Sequence, residues 1–106
     1  MDASYKSCIK ACLDCLEACN VCYHACLKEE EKMAECIELV RECAEICAYS
    51  AAVMQRSSKV VKQISALCAE ICDACGAECK SFDYRHCQIC AGICFACAEE
   101  CRKMAG

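Results

Sequence analysis

Eighteen of the 106 residues are cysteine, and their spacing is regular. In the first third they stand at Cys8, Cys12, Cys15, Cys19, Cys22 and Cys26, in steps of 4, 3, 4, 3 and 4. The ladder recurs at Cys68, Cys72, Cys75 and Cys79 and at Cys87, Cys90, Cys94, Cys97 and Cys101, with a sparser version at Cys36, Cys43 and Cys47. Thiols in this number open three kinds of chemistry: disulfide formation, thiol redox exchange and soft-metal ligation. Steps of three and four are a heptad stripe on a helix. The first six thiols would run along one face for roughly 27 Å.

That placement weighs against the first two kinds. A bridge between stripe neighbours on one helix closes a tiny loop and constrains little, and bridges between helices would satisfy only a few pairs. Five C-x-x-C pairs occur (Cys12/Cys15, Cys19/Cys22, Cys72/Cys75, Cys87/Cys90 and Cys94/Cys97). Each lies mid-helix or inside a longer ladder, whereas a redox centre needs a helix N-terminus to lower the thiol pKa. Cysteine as a plain small hydrophobe is the bland reading, but Leu and Ile would bury more area without the oxidation liability.

Metal ligation remains. Ferredoxin spacing is absent and the chain has no Pro to complete it. Zinc wants closed sets of four ligands in discrete knots, which even stripes build poorly. Cu(I) is soft and is satisfied by two or three sulfurs. Isolated buried thiolates are prohibitively costly, and one Cu(I) per thiolate leaves the interior neutral. The capacity would then be on the order of 18 ions per chain. Nine Zn(II) would balance the charge equally well, so geometry decides between the metals. The metal-free chain is expected to keep its thiols protonated and to stay folded, unlike a zinc finger.

The elements that must position these thiols follow from the intervening residues. Lys28 to Met33 is polar and unpatterned, Ser57 and Ser58 are N-cap candidates, and Asp83 is a candidate cap after Lys80. Approximate helices are 3–28, 32–56, 58–80 and 84–104. The fold expected is all-α, an antiparallel up-down-up-down four-helix bundle with a cysteine-lined core, forming one domain over residues 1–106. Ile9, Leu13, Leu16, Leu27, Ile71, Ile89, Ile93 and Phe95 flank the stripes, which are therefore expected to point into the bundle interior. Gly76 and Gly92 lie inside helices, where each costs about 1 kcal/mol relative to Ala, a reason to expect close helix approach.

Composition agrees by exclusion. Leu, Ile, Val and Phe number only 19, and the apolar fraction is carried by 18 Cys and 17 Ala, so any core is built of thiols and methyl groups. With no Pro and three Gly the chain is not a loop-rich disulfide scaffold. Charge breaks every apolar run, so no membrane span is expected. A net charge of -4 without a basic stripe gives no case for nucleic acid. No charged start, apolar stretch and cleavage site opens the chain, so a reducing cytoplasm is the expected compartment, with a removed leader left open. Nothing pairs a nucleophile with a base, so no enzyme is expected.

Four runs then carry a resemblance: the C-x-x-x-C-x-x-C-x-x-x-C-x-x-C-x-x-x-C ladder from Cys8 to Cys26, R-E-C-A-E-I-C at Arg41 to Cys47, L-C-A-E-I-C-D-A-C-G-A-E-C at Leu67 to Cys79, and H-C-Q-I-C-A-G-I-C-F-A-C-A-E-E-C at His86 to Cys101. Over nearly its whole length the chain resembles the bacterial copper storage proteins, in particular their cytosolic branch. The resemblance implies storage and detoxification of many Cu(I) ions on core cysteines, assembly as a homotetramer, and copper passing through a mouth lined by Met and His.

Met54 and Met104 extend two stripes toward the end that holds the chain termini and are candidate mouth ligands, the alternative being core closure by a flexible gap-filler. His86, beside Cys87 at the opposite end, is read first as a surface or capping residue and second as a metal ligand. His24 is expected in solvent, and Tyr5, Tyr23, Tyr49 and Tyr84 in packing seams. The rival function is a metal-delivery or metal-responsive protein carrying fewer Cu(I) or Zn(II) ions to an unidentified partner.

Overall fold

The 3-4 cysteine spacing produces helices because it lets one face of each segment leave water together. The computed structural model describes residues 3–106; Met1 and Asp2, the start of the expected domain, lie outside the described residues. Among the described residues the helices are α1 (Ala3–Cys26), α2 (Ala34–Gln55), α3 (Val61–Lys80) and α4 (Arg85–Ala105). Each packs against its neighbours in chain order, and α4 closes the ring on α1. Sulfur pairs run in opposite directions along adjacent helices, Cys8 to Cys101 and Cys19 to Cys90 for α1 and α4, Cys47 to Cys68 and Cys36 to Cys79 for α2 and α3. The bundle is therefore antiparallel, 44 Å long and 18 to 19 Å across.

The helix ends depart from the sequence-based limits for identifiable reasons. α1 stops at Cys26, not Lys28, because the amides of Lys28 and Glu29 turn back to the carbonyls of Ala25 and Cys26 in a tightened last turn. Glu29, Glu30 and Glu31 follow, and acidic groups oppose helix growth at the negative end of the dipole. α2 begins at Ala34 after Met33, whose side chain is buried and caps nothing by hydrogen bond.

α2 ends in a Schellman motif. The Ser58 amide donates to the Val53 carbonyl at 2.9 Å and the Ser57 amide to the Met54 carbonyl at 3.1 Å. Ser57 takes the left-handed position, φ 51°, that glycine usually fills. Ser57 thus terminates α2 and does not cap α3. The Ser58 hydroxyl accepts the Val60 amide at 3.3 Å, but regular α3 waits until Val61. Nor does Asp83 cap α4: Tyr84 holds the N-cap position in an extended conformation, its carbonyl accepting the Cys87 and Gln88 amides. Gln88 in turn donates to the carbonyls of Lys80 and Phe82, closing the end of α3.

The two helical glycines differ. A Cβ on Gly76 would lie 2.8 Å from the Phe95 ring, so this glycine lets α4 approach α3. A Cβ on Gly92 would meet nothing within 4 Å. Of the residues that flank the stripes, Leu13, Leu27, Ile89 and Phe95 are exposed. Thiols are small enough for the helices to seal around them without those flanks.

Candidate metal centre

Every stripe cysteine points inward. All 18 are free thiols and none is more than 2% exposed. Beside them Met54, Val40 and Val53 are the largest fully buried side chains. The sulfurs touch in a continuous column with Sγ separations from 3.6 to 4.0 Å, twice the length of a disulfide bond and equal to van der Waals contact.

The column crosses the bundle as well as following its seams. Cys15 meets Cys43 at 3.7 Å, Cys47 meets Cys97 at 3.9 Å and Cys75 meets Cys94 at 3.6 Å. Cys94 lies at the centre, also touching Cys15, Cys19, Cys43 and Cys90 at 3.8 to 4.0 Å. Convergence produces four-thiol groups: Cys12, Cys68, Cys97 and Cys101; Cys15, Cys19, Cys43 and Cys94; Cys15, Cys47, Cys72 and Cys97; Cys19, Cys75, Cys90 and Cys94. Within each, all ligand atoms lie within 4.8 Å of one another. These four interlock through Cys15, Cys19, Cys94 and Cys97. The stripes thus do build convergent groups of four, against the sequence-based expectation, because four antiparallel stripes superpose at common heights. Shared sulfurs suit bridging thiolates of a soft monovalent ion.

Proton sharing divides the thiols: hydrogen bonds from neighbouring thiols hold Cys12, Cys15 and Cys90 below the ordinary thiol value and others above it. Hydrogen bonds with neighbouring thiols, and burial, hold Cys19, Cys47, Cys79 and Cys94 above the ordinary thiol value. Burial and the nearby Cys26 push Cys87 up to about 12. A soft cation that replaces the protons removes this penalty.

The two ends differ in chemistry. At the end with the chain termini, Met54 is fully buried and Met104 half-buried, so of the two Met104 is nearer to solvent. Ser50 and Ser65, one stripe position beyond Cys47 and Cys68, are fully buried, and their hydroxyls have no partner among the described residues. At the other end His86 is neither cap nor free surface residue. Its Nε2 lies 3.5 Å from Cys26 Sγ, and its ring stacks on Tyr84 at 5.5 Å. His24 stands in solvent as expected. Met33, passed over in the sequence as part of a polar turn, is 3% exposed at this same end; its position three residues before Cys36 was the available signal. Tyr5, Tyr23 and Tyr84 pack against the core, while Tyr49 is exposed, with Arg56 5.8 Å above its ring.

A four-helix bundle whose interior is a column of reduced thiols defines a class, the helical thiolate metal-binding proteins. The copper storage protein family model matches residues 1–106, and the chain belongs to that family. Among solved structures, it is similar to the Cu(I)-bound copper storage protein BsCsp3, with 51% identity and a TM-score of 0.94 over 97% of this chain and 99% of that one. It is also similar to apo copper storage protein 3 from Bacillus subtilis, with 53% identity and a TM-score of 0.93 over 95% and 98% of the two chains. A cytosolic copper storage protein from Streptomyces lividans, in a copper-loading structure with five coppers, shares 34% identity and a TM-score of 0.92 over 96% and 92%. Among curated proteins no sequence matches the chain.

Proposed function

We propose that this protein stores Cu(I) in the cytosol, taking on the order of 18 ions per chain on its core cysteines and performing no catalysis. One observation carries the reading: an unbroken column of reduced, buried thiols in mutual contact, a donor set with no use for a hard ion. Met104 and Met54 then form a thioether mouth at the end with the chain termini, and His86 a nitrogen ligand at the other. The kinship with proteins solved with copper and described as cytosolic supports the same reading.

Titration of the fully reduced chain with Cu(I) under anaerobic conditions, against a chromophoric Cu(I) chelator, should give ten or more tightly held ions, near one per cysteine. Saturation at one to four would sink storage in favour of delivery. Tighter saturating binding of many Zn(II) ions would overturn the metal.

The finer part of the proposal is a homotetramer that uses the α1/α4 face. A groove of about 530 Å³ runs there, with Cys90 and Cys97 in its lining. Val21, 61% exposed, and Ile89, 51% exposed, line its apolar surface beside Gly92. A mid-helix glycine with no neighbour in its own chain is costly unless another surface approaches. Light scattering on the wild type should return four chains, and the double variant Val21→Glu/Ile89→Glu a smaller species. A monomeric wild type at about 0.1 mM, a concentration that fills an assembly of micromolar affinity, or a charged variant that still forms tetramers, would defeat this arrangement.

A further inference from the structure

Along α2 and α3 the thiol column stops short of the chain-terminus end, and it stops on oxygen. Ser50 and Ser65 are the only buried side chains among the described residues that carry an oxygen, each 0% exposed, and neither hydroxyl has a hydrogen-bond partner among those residues. Exposed serines differ: Ser7 donates to Glu100 at 2.8 Å and Ser81 to the Glu78 carbonyl at 2.6 Å. Helix register places the buried pair at one height. α2 and α3 match Cys36 with Cys79, Cys43 with Cys72 and Cys47 with Cys68 at 3.6 to 3.8 Å, and three residues further along both helices stand Ser50 and Ser65. Cys47 also meets Cys97 at 3.9 Å, which levels this seam with that of α1 and α4. There the thiols go on, from Cys12 with Cys97 to Cys8 with Cys101, both pairs at 3.8 Å. The last layer of the column therefore carries thiols on α1 and α4 and hydroxyls on α2 and α3. Nearer the end, Val53, Met54 and Val61 are buried and shut the hydroxyls off from bulk solvent.

We propose that Ser50 and Ser65 hold a buried water molecule between α2 and α3, and that this layer of hydroxyls and water ends the metal column on that side of the bundle. The paired hydroxyls supply the minimum of polar partners that an interior water needs, and each can both donate and accept. Alanine would be the cheaper residue at either position if nothing were bound there. It forms helix better and leaves no polar group to desolvate, and Ala44, Ala51 and Ala69 fill other buried places on these two helices. An oxygen is also smaller than the sulfur that the stripe carries elsewhere, which leaves this layer less filled than those below it. Hydroxyl and water are hard donors that Cu(I) takes poorly beside thiolate. A Cu(I) ion held by the thioethers of Met54 and Met104 would thus reach the column on the α1 and α4 side, at Cys8 and Cys101. That consequence rests on the storage reading; the water site rests on the bundle alone.

The test has a metal-free arm and a copper arm. A crystal structure of the reduced, metal-free chain should show an ordered water within hydrogen-bonding distance of both hydroxyls. Ser50→Ala and Ser65→Ala should each lower the melting temperature, because each strands the water and the hydroxyl that remains. The double variant should fall no further than the less stable single one, since the two positions serve one ligand. Hydroxyls that bind nothing give the opposite sign, for removing an orphaned polar group stabilises. An empty site in the crystal, or a higher melting temperature in either single variant, would overturn the water. In the Cu(I) titration, Ser50→Cys/Ser65→Cys should take up about two ions more than wild type, whatever the wild-type total, and Ser50→Ala/Ser65→Ala the same number as wild type. Unchanged capacity in a cysteine variant whose helicity matches the wild type would defeat the boundary, while storage itself stands or falls on the wild-type count.

Discussion

Raising the pH of the reduced, metal-free protein from 8 to 10 should unfold it, and loading with Cu(I) should prevent this. Cys19, Cys47, Cys79 and Cys94 are held above the ordinary thiol value of 9.0. Below that value both folded and unfolded chains keep these protons, and the full stability is present. Above it the unfolded chain releases protons that the folded chain retains, so stability falls as pH rises. Each such thiol costs about 1.4 kcal/mol per pH unit in that window. Four acting together remove roughly 6 kcal/mol by one unit above the unfolded value, comparable to the whole stability of a small domain. Bound Cu(I) leaves no proton on these sulfurs to titrate. Helicity followed by circular dichroism under anaerobic conditions should collapse near pH 10 in the metal-free form and stay level in the loaded form. Flat helicity to pH 11 without metal would show that the column tolerates thiolates unaided.

The second large effect separates the centre of the column from its end. Cys94 touches Cys15, Cys19, Cys43, Cys75 and Cys90, whereas Cys8 meets Cys101 at 3.8 Å near the chain termini. If copper sits on shared sulfurs, Cys94→Ala should lose about three ions, because every bridge through that sulfur goes with it, and Cys8→Ala about one. Cu-to-protein ratios after desalting, on variants whose helicity matches the wild type, measure this directly. Equal losses would mean that the ions occupy independent sites. The metal-free Cys94→Ala protein should also be less stable by about 1–2 kcal/mol, from the cavity left in a packed interior.

Both results depend on contacts that the chain does not spell out locally. Steps of three and four between cysteines oblige a helix to carry them on one face, and the charged residues between them oblige that face to turn inward. The burial of all 18 thiols was accordingly legible, as was the family. The stop signals were less so: Ser57 and Ser58 were legible as a helix boundary, but a serine in the left-handed position of a Schellman motif has no spacing signature that distinguishes it from an N-cap. Asp83 was the natural cap by type. The extended backbone at Tyr84 took that place instead, and this also turns His86 toward Cys26.

His24 and His86 show where local reading ends. Each lies within two positions of a stripe cysteine, and by sequence alone both looked like surface residues. His24 sits mid-turn on a helix whose stripe faces away from it; His86 sits in the first turn of α4, where the chain end of α1 comes alongside. The sequence by itself determined that this protein is a helical bundle with a ligand store for a core, because helical periodicity and the exclusion of thiols from water are local and unidirectional. Only the tertiary structure decided which thiols meet. The heights at which four antiparallel stripes superpose depend on the turn lengths and on how closely each helix pair packs, and those set Cys94 at the centre, left the α1/α4 groove open, and brought His86 against Cys26.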